Sequence, residues 1–228
     1  MPSGCSLPMP WPSSALSRAA EILSTLTTSP AQLRLTGLFL MISARASEMT
    51  STPRYYTGIG SRETPPEALQ TMARCARWLA EHGLVLRSGG APGADTAFES
   101  GVDQADAKVI YVPWDGFQGH PLVFKVPPAA EASVDLFHPA PKSLSRGARG
   151  LMARNAMQIL GHEMDTPSLF VLCWTQDGCE SHATRTRATG GTGQAISIAS
   201  HHQVPVFNLR SPNWRDRFLA AGKEQGWF

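Results

Sequence analysis

Three short stretches of this chain combine residue types suited to holding an anion: Gly58-Ile59-Gly60-Ser61-Arg62, Ser88-Gly89-Gly90-Ala91-Pro92-Gly93-Ala94-Asp95 and Gly190-Gly191-Thr192-Gly193. Glycine in such turns adopts backbone conformations closed to other residues and lets N–H groups come close to a negative ligand. A helix that follows adds its dipole, about 0.3–1 kcal/mol per anionic charge. Arg62 and Asp95 belong to two of these turns, and Arg154 lies on a helical stretch ahead of the third. None of the turns is a standard nucleotide motif alone. The chain has no Walker A lysine, and the first turn lacks the full Gly-x-Gly-x-x-Gly.

The surrounding pattern supplies the elements that must position these turns. Tyr55 to Gly60 reads as a short buried strand running into a glycine turn. Thr64 is the expected N-cap of the next helix, with Pro65 at its first position and Glu67 completing a capping box. Leu69, Met72, Ala76 and Leu79 recur at helical spacing until Gly83. Leu84–Arg87 is a second strand, and Lys108–Pro113 a third, apolar enough to be buried on both faces. Residues 114–147 are proline-rich and aperiodic, longer than an ordinary connection, and read as a lid or surface excursion. Helical spacing returns over 148–161, followed by a strand at Ser168–Trp174 and a polar loop over Thr175–Thr189. A helix over Gln194 to about His202 and a strand at Val204–Leu209 complete the pattern. Strands alternating with helices imply an α/β fold with a doubly wound, mostly parallel, Rossmann-like sheet. In such sheets ligands bind beyond the carboxyl ends of the strands, where all three glycine turns fall.

Taken together, the turns resemble a known superfamily. Ser88-Gly89-Gly90-Ala91-x-Gly93-Ala94-Asp95 looks like the signature turn of DprA/Smf DNA-processing proteins, and Arg154-Asn155 resembles their Arg-Asn motif. Thr189-Gly190-Gly191-Thr192-Gly193-Gln194-Ala195 resembles the Pro-Gly-Gly-x-Gly-Thr turn of LOG-type phosphoribohydrolases. The span from Tyr55 to Leu209 is thus similar to the SMF/DprA–LOG (SLOG) superfamily, most of all to its YpsA-related phage and bacterial members. The resemblance implies phosphate or ribose contacts for Gly58, Gly60, Ser61 and Arg62. It has Ser88, Gly89, Gly90, Gly93 and Asp95 line the second turn, and Gly190, Gly191, Thr192 and Gly193 cradle a phosphate. It points Arg154 across the pocket. Asp95 and Arg154 are its candidates for catalysis.

One departure matters. LOG enzymes carry a glutamate a few residues after the last glycine turn, and Ile196-Ser197 stands there instead. Cleaving an N-glycosidic bond passes through an oxocarbenium-like transition state that wants a nearby carboxylate. Asp95, Asp115, Asp177 and Glu180 are the substitutes on offer, and spacing selects none of them.

Blander roles stand beside these. Arg62 is equally a solvated turn residue, Asp95 a helix cap, and Arg154 the partner of a surface acid. Arg146, Arg149, Arg154, Arg185 and Arg187 form either a phosphate-facing patch or a solvated face. Trp114 and Trp174 follow strands at the ligand edge, where a stacked base competes with core or lid packing. Cys173, Cys179 and His182 match no common zinc spacing, so no metal is expected, nor a resident cofactor.

Composition bounds the function. The 228 residues are 42% hydrophobic and 17% charged, enough for one domain with a sizeable core and some excess. Twenty basic residues against 18 acidic give a net charge of +2, so no whole-chain field draws in nucleic acid or membrane. Four scattered cysteines suit free thiols in a reducing, cytoplasmic compartment. Residues 1–53 are rich in Ser, Pro, Thr and Ala and read as a disordered or partly helical extension, or as residue of a misassigned start with Met49 as the natural one. The expected partner is a small phosphate-bearing nucleotide or a compound derived from one, bound and, if the protein is an enzyme, cleaved at its N-glycosidic bond. The alternatives are a DprA-like single-stranded DNA-binding protein in DNA processing, and an interaction module that kept the fold without the ligand. A homo-oligomer is compatible with each.

Overall fold

The computed structural model describes residues 52–228, so the expectations for the N-terminal extension and for Met49 lie outside the described residues. Five strands, β1 (Arg54–Gly60), β2 (Leu84–Ser88), β3 (Lys108–Ile110), β4 (Val171–Trp174) and β5 (Val206–Asn208), form one sheet in the order β3-β2-β1-β4-β5. Every neighbouring pair is parallel, with Gly60 opposite Trp174 where β1 meets β4. The chain winds outward from β1 to β3, then returns to β4 on the other side of β1. That reversal between β1 and β4 is the switch point where open α/β sheets leave a crevice.

Six helices cover the two faces: α1 (Pro66–Glu81), α2 (Ala94–Ser100), α3 (Pro128–Phe137), α4 (Arg146–Leu160), α5 (Thr192–His201) and α6 (Trp214–Gln225). Each face has its own core. Ile59, Val171 and Cys173 pack with Met157, Ile159, Ile196 and Ile198 beneath α3, α4 and α5. Tyr56, Leu86, Phe170 and Leu172 pack with Met72, Leu79, Phe98 and Phe218 beneath α1, α2 and α6. The expected doubly wound Rossmann-like fold is therefore what the chain forms. No helix among the described residues is long and apolar enough to cross a membrane.

Several elements differ in detail from the expectations, each for a local reason. Thr64 does not cap α1: its hydroxyl donates to the Ser61 carbonyl at 2.7 Å and tightens the first glycine turn. Pro65 occupies the N-cap without a side-chain bond, and Pro66 takes the first helical position. β3 is a three-residue edge strand and only half-buried, because no strand among the described residues pairs with its outer side; the buried residues are Tyr111 and Val112 just beyond it. The proline-rich segment holds α3, which starts on Pro127-Pro128 and packs against α4. Its prolines set a helix start as well as breaking periodicity. The C-terminal α6, which carries only Phe218 and Gly222 as buried residues, has too weak an apolar stripe to be read from periodicity.

The placement of α4 decides where the site's side chains go. Ser145 caps its start, its hydroxyl accepting from the Ala148 N–H at 3.2 Å. At its end the last carbonyls would be orphaned, and each finds a donor. Gln158 O accepts from the Thr57 hydroxyl of β1 at 2.6 Å, Ile159 O from Ser168 N at 2.8 Å and Leu160 O from Thr166 N at 3.0 Å. These bonds fix α4 in register over β1. Gly58, in the same strand, has no room for a side chain: a Cβ there would lie 2.6 Å from Phe98 Cγ and 2.8 Å from Leu86 Cδ1. Gly58→Ala is therefore expected to lower stability in urea unfolding by about 1–3 kcal/mol through overpacking.

Candidate functional site

A crevice opens at the β1–β4 switch point, with a volume of about 420 Å³, within the range of small-molecule sites. Its walls come from the first turn (Gly60 to Glu63), from Asp95 of α2, from Arg154, Asn155 and Gln158 of α4, and from the third turn (Thr189 to Thr192). Phe117, Pro92, Leu151 and Met152 add an apolar surface. A smaller cavity of about 200 Å³ between α1 and α6, around Trp78 and Trp214, has none of this convergent polar chemistry.

At the base of the crevice, Arg154 Nη1 donates to Asp95 Oδ2 at 3.1 Å, with the two side chains only 7% and 5% exposed. Asp95 Oδ2 also accepts the Ala91 N–H at 3.3 Å. Burial pushes the Asp95 carboxyl above its usual range, although Arg154 and the N–H groups of Ala91 and Gly60 oppose that shift. Arg154 reaches its partner across Gly89, where any Cβ would overlap the guanidinium. So the partner of Arg154 is a buried acid from another candidate position, and not an acid on the surface. Asp95 in turn draws the second turn around itself. Gly93, at φ +91°, is pressed against the Ser61 and Arg62 backbone, a conformation and a contact that only glycine tolerates. The second glycine turn thus builds the ion pair, and its Ala91 N–H serves Asp95.

The third turn has the opposite character. Gly193 N donates to Gly190 O at 3.2 Å and Gly190 N to Arg187 O at 3.3 Å, while the N–H groups of Gly191 and Thr192 donate to no backbone carbonyl among the described residues. They stand at the start of α5, in two residues that line the crevice. Asn155 holds this turn to α4, its amide donating to Gly191 O at 3.4 Å and to Gln194 Oε1 at 3.1 Å. Below it, the Asp177 carboxylate gathers the β4–α5 loop. It accepts from the hydroxyls of Thr175 (2.8 Å), Thr186 (2.6 Å) and Thr189 (2.5 Å) and from Cys179 N (3.3 Å). Partial burial works against ionisation of Asp177, but these donors outweigh it and hold the carboxyl at about 2.

The candidate positions now separate. Gly60, Ser61, Arg62, Asp95, Arg154, Gly190, Gly191 and Thr192 line one crevice. Gly58, Ser88, Gly89, Gly90, Gly93 and Gly193 stand behind it: Ser88 donates to Gly58 O at 2.7 Å, Gly90 packs on His120, and Gly193 on Arg185. Their tight turns and close packing set the wall in place. Of the substitute acids, Asp115 accepts from Leu122 N, Asp177 is saturated with donors, and Glu180 is paired with Arg217 at 2.7 Å. The arginine patch does not converge, since Arg149 pairs with Asp135 at 2.6 Å and Arg185 donates to Phe137 O at 2.8 Å. Trp174 is core, whereas Trp114 is exposed and meets Phe117 edge-on at 5.3 Å. Glu63, Phe117 and Gln158 were not singled out by sequence, yet Gln158 follows Arg154 by four residues on one helix face, a legible signal.

No family model matches the chain, and no curated protein matches it. Among solved structures, DNA processing protein A from Helicobacter pylori, described there for its unique single-stranded DNA binding mode, is similar at 20% identity with a TM-score of 0.45. The match covers 75% of this chain and 74% of that one.

Two outcomes follow from this geometry. Arg154→Met strands a buried carboxylate and is expected to cost about 3–5 kcal/mol in urea unfolding, with Asp95→Asn in the same chain recovering part of the loss. For Asp177 the folded value lies below the ordinary carboxylate value near 3.9, so its contribution is complete above about pH 4 and is lost as pH falls toward 2. Asp177→Ala should make the loop susceptible to trypsin at Arg185 and Arg187 at neutral pH, while the wild-type loop stays resistant. Hydrogen exchange in wild type should speed up in this loop only below about pH 4.

Proposed function

We propose that the crevice at the β1–β4 switch point binds a small phosphate-bearing nucleotide or nucleotide-derived compound. The observation that carries this reading is that Gly191 and Thr192, whose N–H groups have no hydrogen-bond acceptor among the described residues, line one cavity with Arg62 and the buried Arg154 beside an apolar wall. A phosphate fits the N-terminus of α5, where the donors are fixed before the ligand arrives. Phe117, Leu151 and Met152 offer the surface that a base or sugar would cover. Membership of the SLOG superfamily, with its YpsA-related branch, is part of the same proposal and is supported by the turn sequences.

The site supports binding ahead of catalysis. Of its two carboxylates, Asp95 is committed to Arg154, and Glu63 is exposed with no side-chain partner among the described residues. A cleavage step at an N-glycosidic bond would fall to Glu63. A single-stranded DNA reading has one observation of its own: Arg62 and Phe117 line the cavity, with exposed Trp114 edge-on to Phe117, so a cation and aromatic rings adjoin it.

Calorimetric titration with AMP, ADP-ribose, ribose 5-phosphate and inorganic phosphate tests the main reading. At least one nucleotide should bind saturably, and Arg62→Ala should weaken it by about tenfold or more without changing the unfolding midpoint. Absence of saturable binding across the panel would overturn it. If the protein instead retards oligo-dT with an affinity that falls steeply with salt, the DNA reading takes its place.

A further inference from the structure

Gln158 is 1% exposed, yet it lines the crevice, and its buried Nε2 has no hydrogen-bond partner among the described residues. The Nε of Arg154, one helical turn earlier, is likewise buried and unpartnered. Both side chains converge on Gly89: a Cβ there would overlap Arg154 Nη1 and lie 2.7 Å from Gln158 Nε2. Two donors therefore crowd one spot at the cavity floor, and no acceptor answers the amide. Which end of a carboxamide carries nitrogen is assigned from its hydrogen bonds. Turning this one by 180° sets its oxygen against the guanidinium and its NH2 toward the crevice. So turned, the amide serves Arg154 with its oxygen and keeps its NH2 for a ligand acceptor, whereas an apolar residue of the same size could do neither.

We propose that Gln158, backed by Arg154, is a specificity-determining contact that donates to an acceptor oxygen on the ligand, separate from the phosphate at Gly191 and Thr192. This rests on the reading of the crevice as a nucleotide site and sharpens it: the ligand carries two acceptor groups, one for the start of α5 and one for Gln158. The second acceptor is an oxygen of a further phosphate, of the ribose or of a base carbonyl. Gln158 is well placed for this because its own backbone carbonyl is anchored to Thr57 at 2.6 Å, which fixes the side chain's origin relative to β1.

The test uses Gln158→Met and Gln158→Leu in the full chain, with two readouts. Without ligand, both variants should keep a cooperative unfolding transition with a midpoint within about 2–4 °C of wild type, as expected when one hydrogen bond to Arg154 is lost. In titrations with ADP-ribose, AMP and ribose 5-phosphate, at least one of those that bind wild type should bind both variants at least about tenfold more weakly. Inorganic phosphate, which reaches only one end, should bind wild type and variants alike. Selective loss with ADP-ribose alone assigns the acceptor to a second phosphate, loss with AMP but not ribose 5-phosphate to the base, and loss with all three to the ribose. A midpoint lowered by more than about 8 °C in both variants would show Gln158 to be structural and overturn the proposal. Unchanged affinities would overturn it while leaving the nucleotide reading intact, and failure of wild type to bind any probe would overturn both.

Discussion

The buried pair of Asp95 and Arg154 is the interaction on which the rest of the site depends. A carboxylate and a guanidinium held at 3.1 Å with almost no solvent contact are stable only when each is well matched, because either alone would be stranded in the interior. That requirement explains the second glycine turn. Gly89 leaves room for the guanidinium to pass, and Gly93 bends the chain so that Asp95 starts α2 against the first turn. The pair also ties α2, on one face of the sheet, to α4 on the other, across the carboxyl end of β1.

Around that pair, the two remaining turns divide the work. The first is closed by Thr64 and leaves Arg62 exposed at the crevice. The third is held from above by Asn155 and from below by the Asp177 cluster, and so presents the Gly191 and Thr192 N–H groups without competing partners. Preorganised donors of this kind cost little to align when an anion binds. The near-neutral balance of charges inside the crevice, Arg62 and Arg154 against Glu63 and Asp95, favours a modestly charged ligand over a long polyanion.

Much of this was legible before any coordinates. Alternating strands and helices define the doubly wound sheet, and glycine runs after apolar strands mark its ligand edge. The turns read alike in sequence, however, while the structure sets them in different surroundings, because a glycine needed for packing and a glycine that lines an open cavity look the same in one letter. Gly58 and Gly191 are the clearest contrast: the first sits against Phe98, and the second lines the cavity. The pairing of Asp95 with Arg154 joins residues 59 positions apart, which no local pattern reveals. Asp177 and Glu180 carry the right chemistry for catalysis, but only their partners show that this chemistry is already spent on holding loops.

A two-dimensional 1H–15N spectrum of the protein titrated with AMP gives the most direct measurement of the central claim. The amide resonances of Gly191, Thr192 and Arg62 should move together and saturate, with smaller changes at Asp95 and Gln158. No movement at those amides, or movement confined to the α1–α6 groove around Trp78 and Trp214, would contradict a phosphate site at the start of α5.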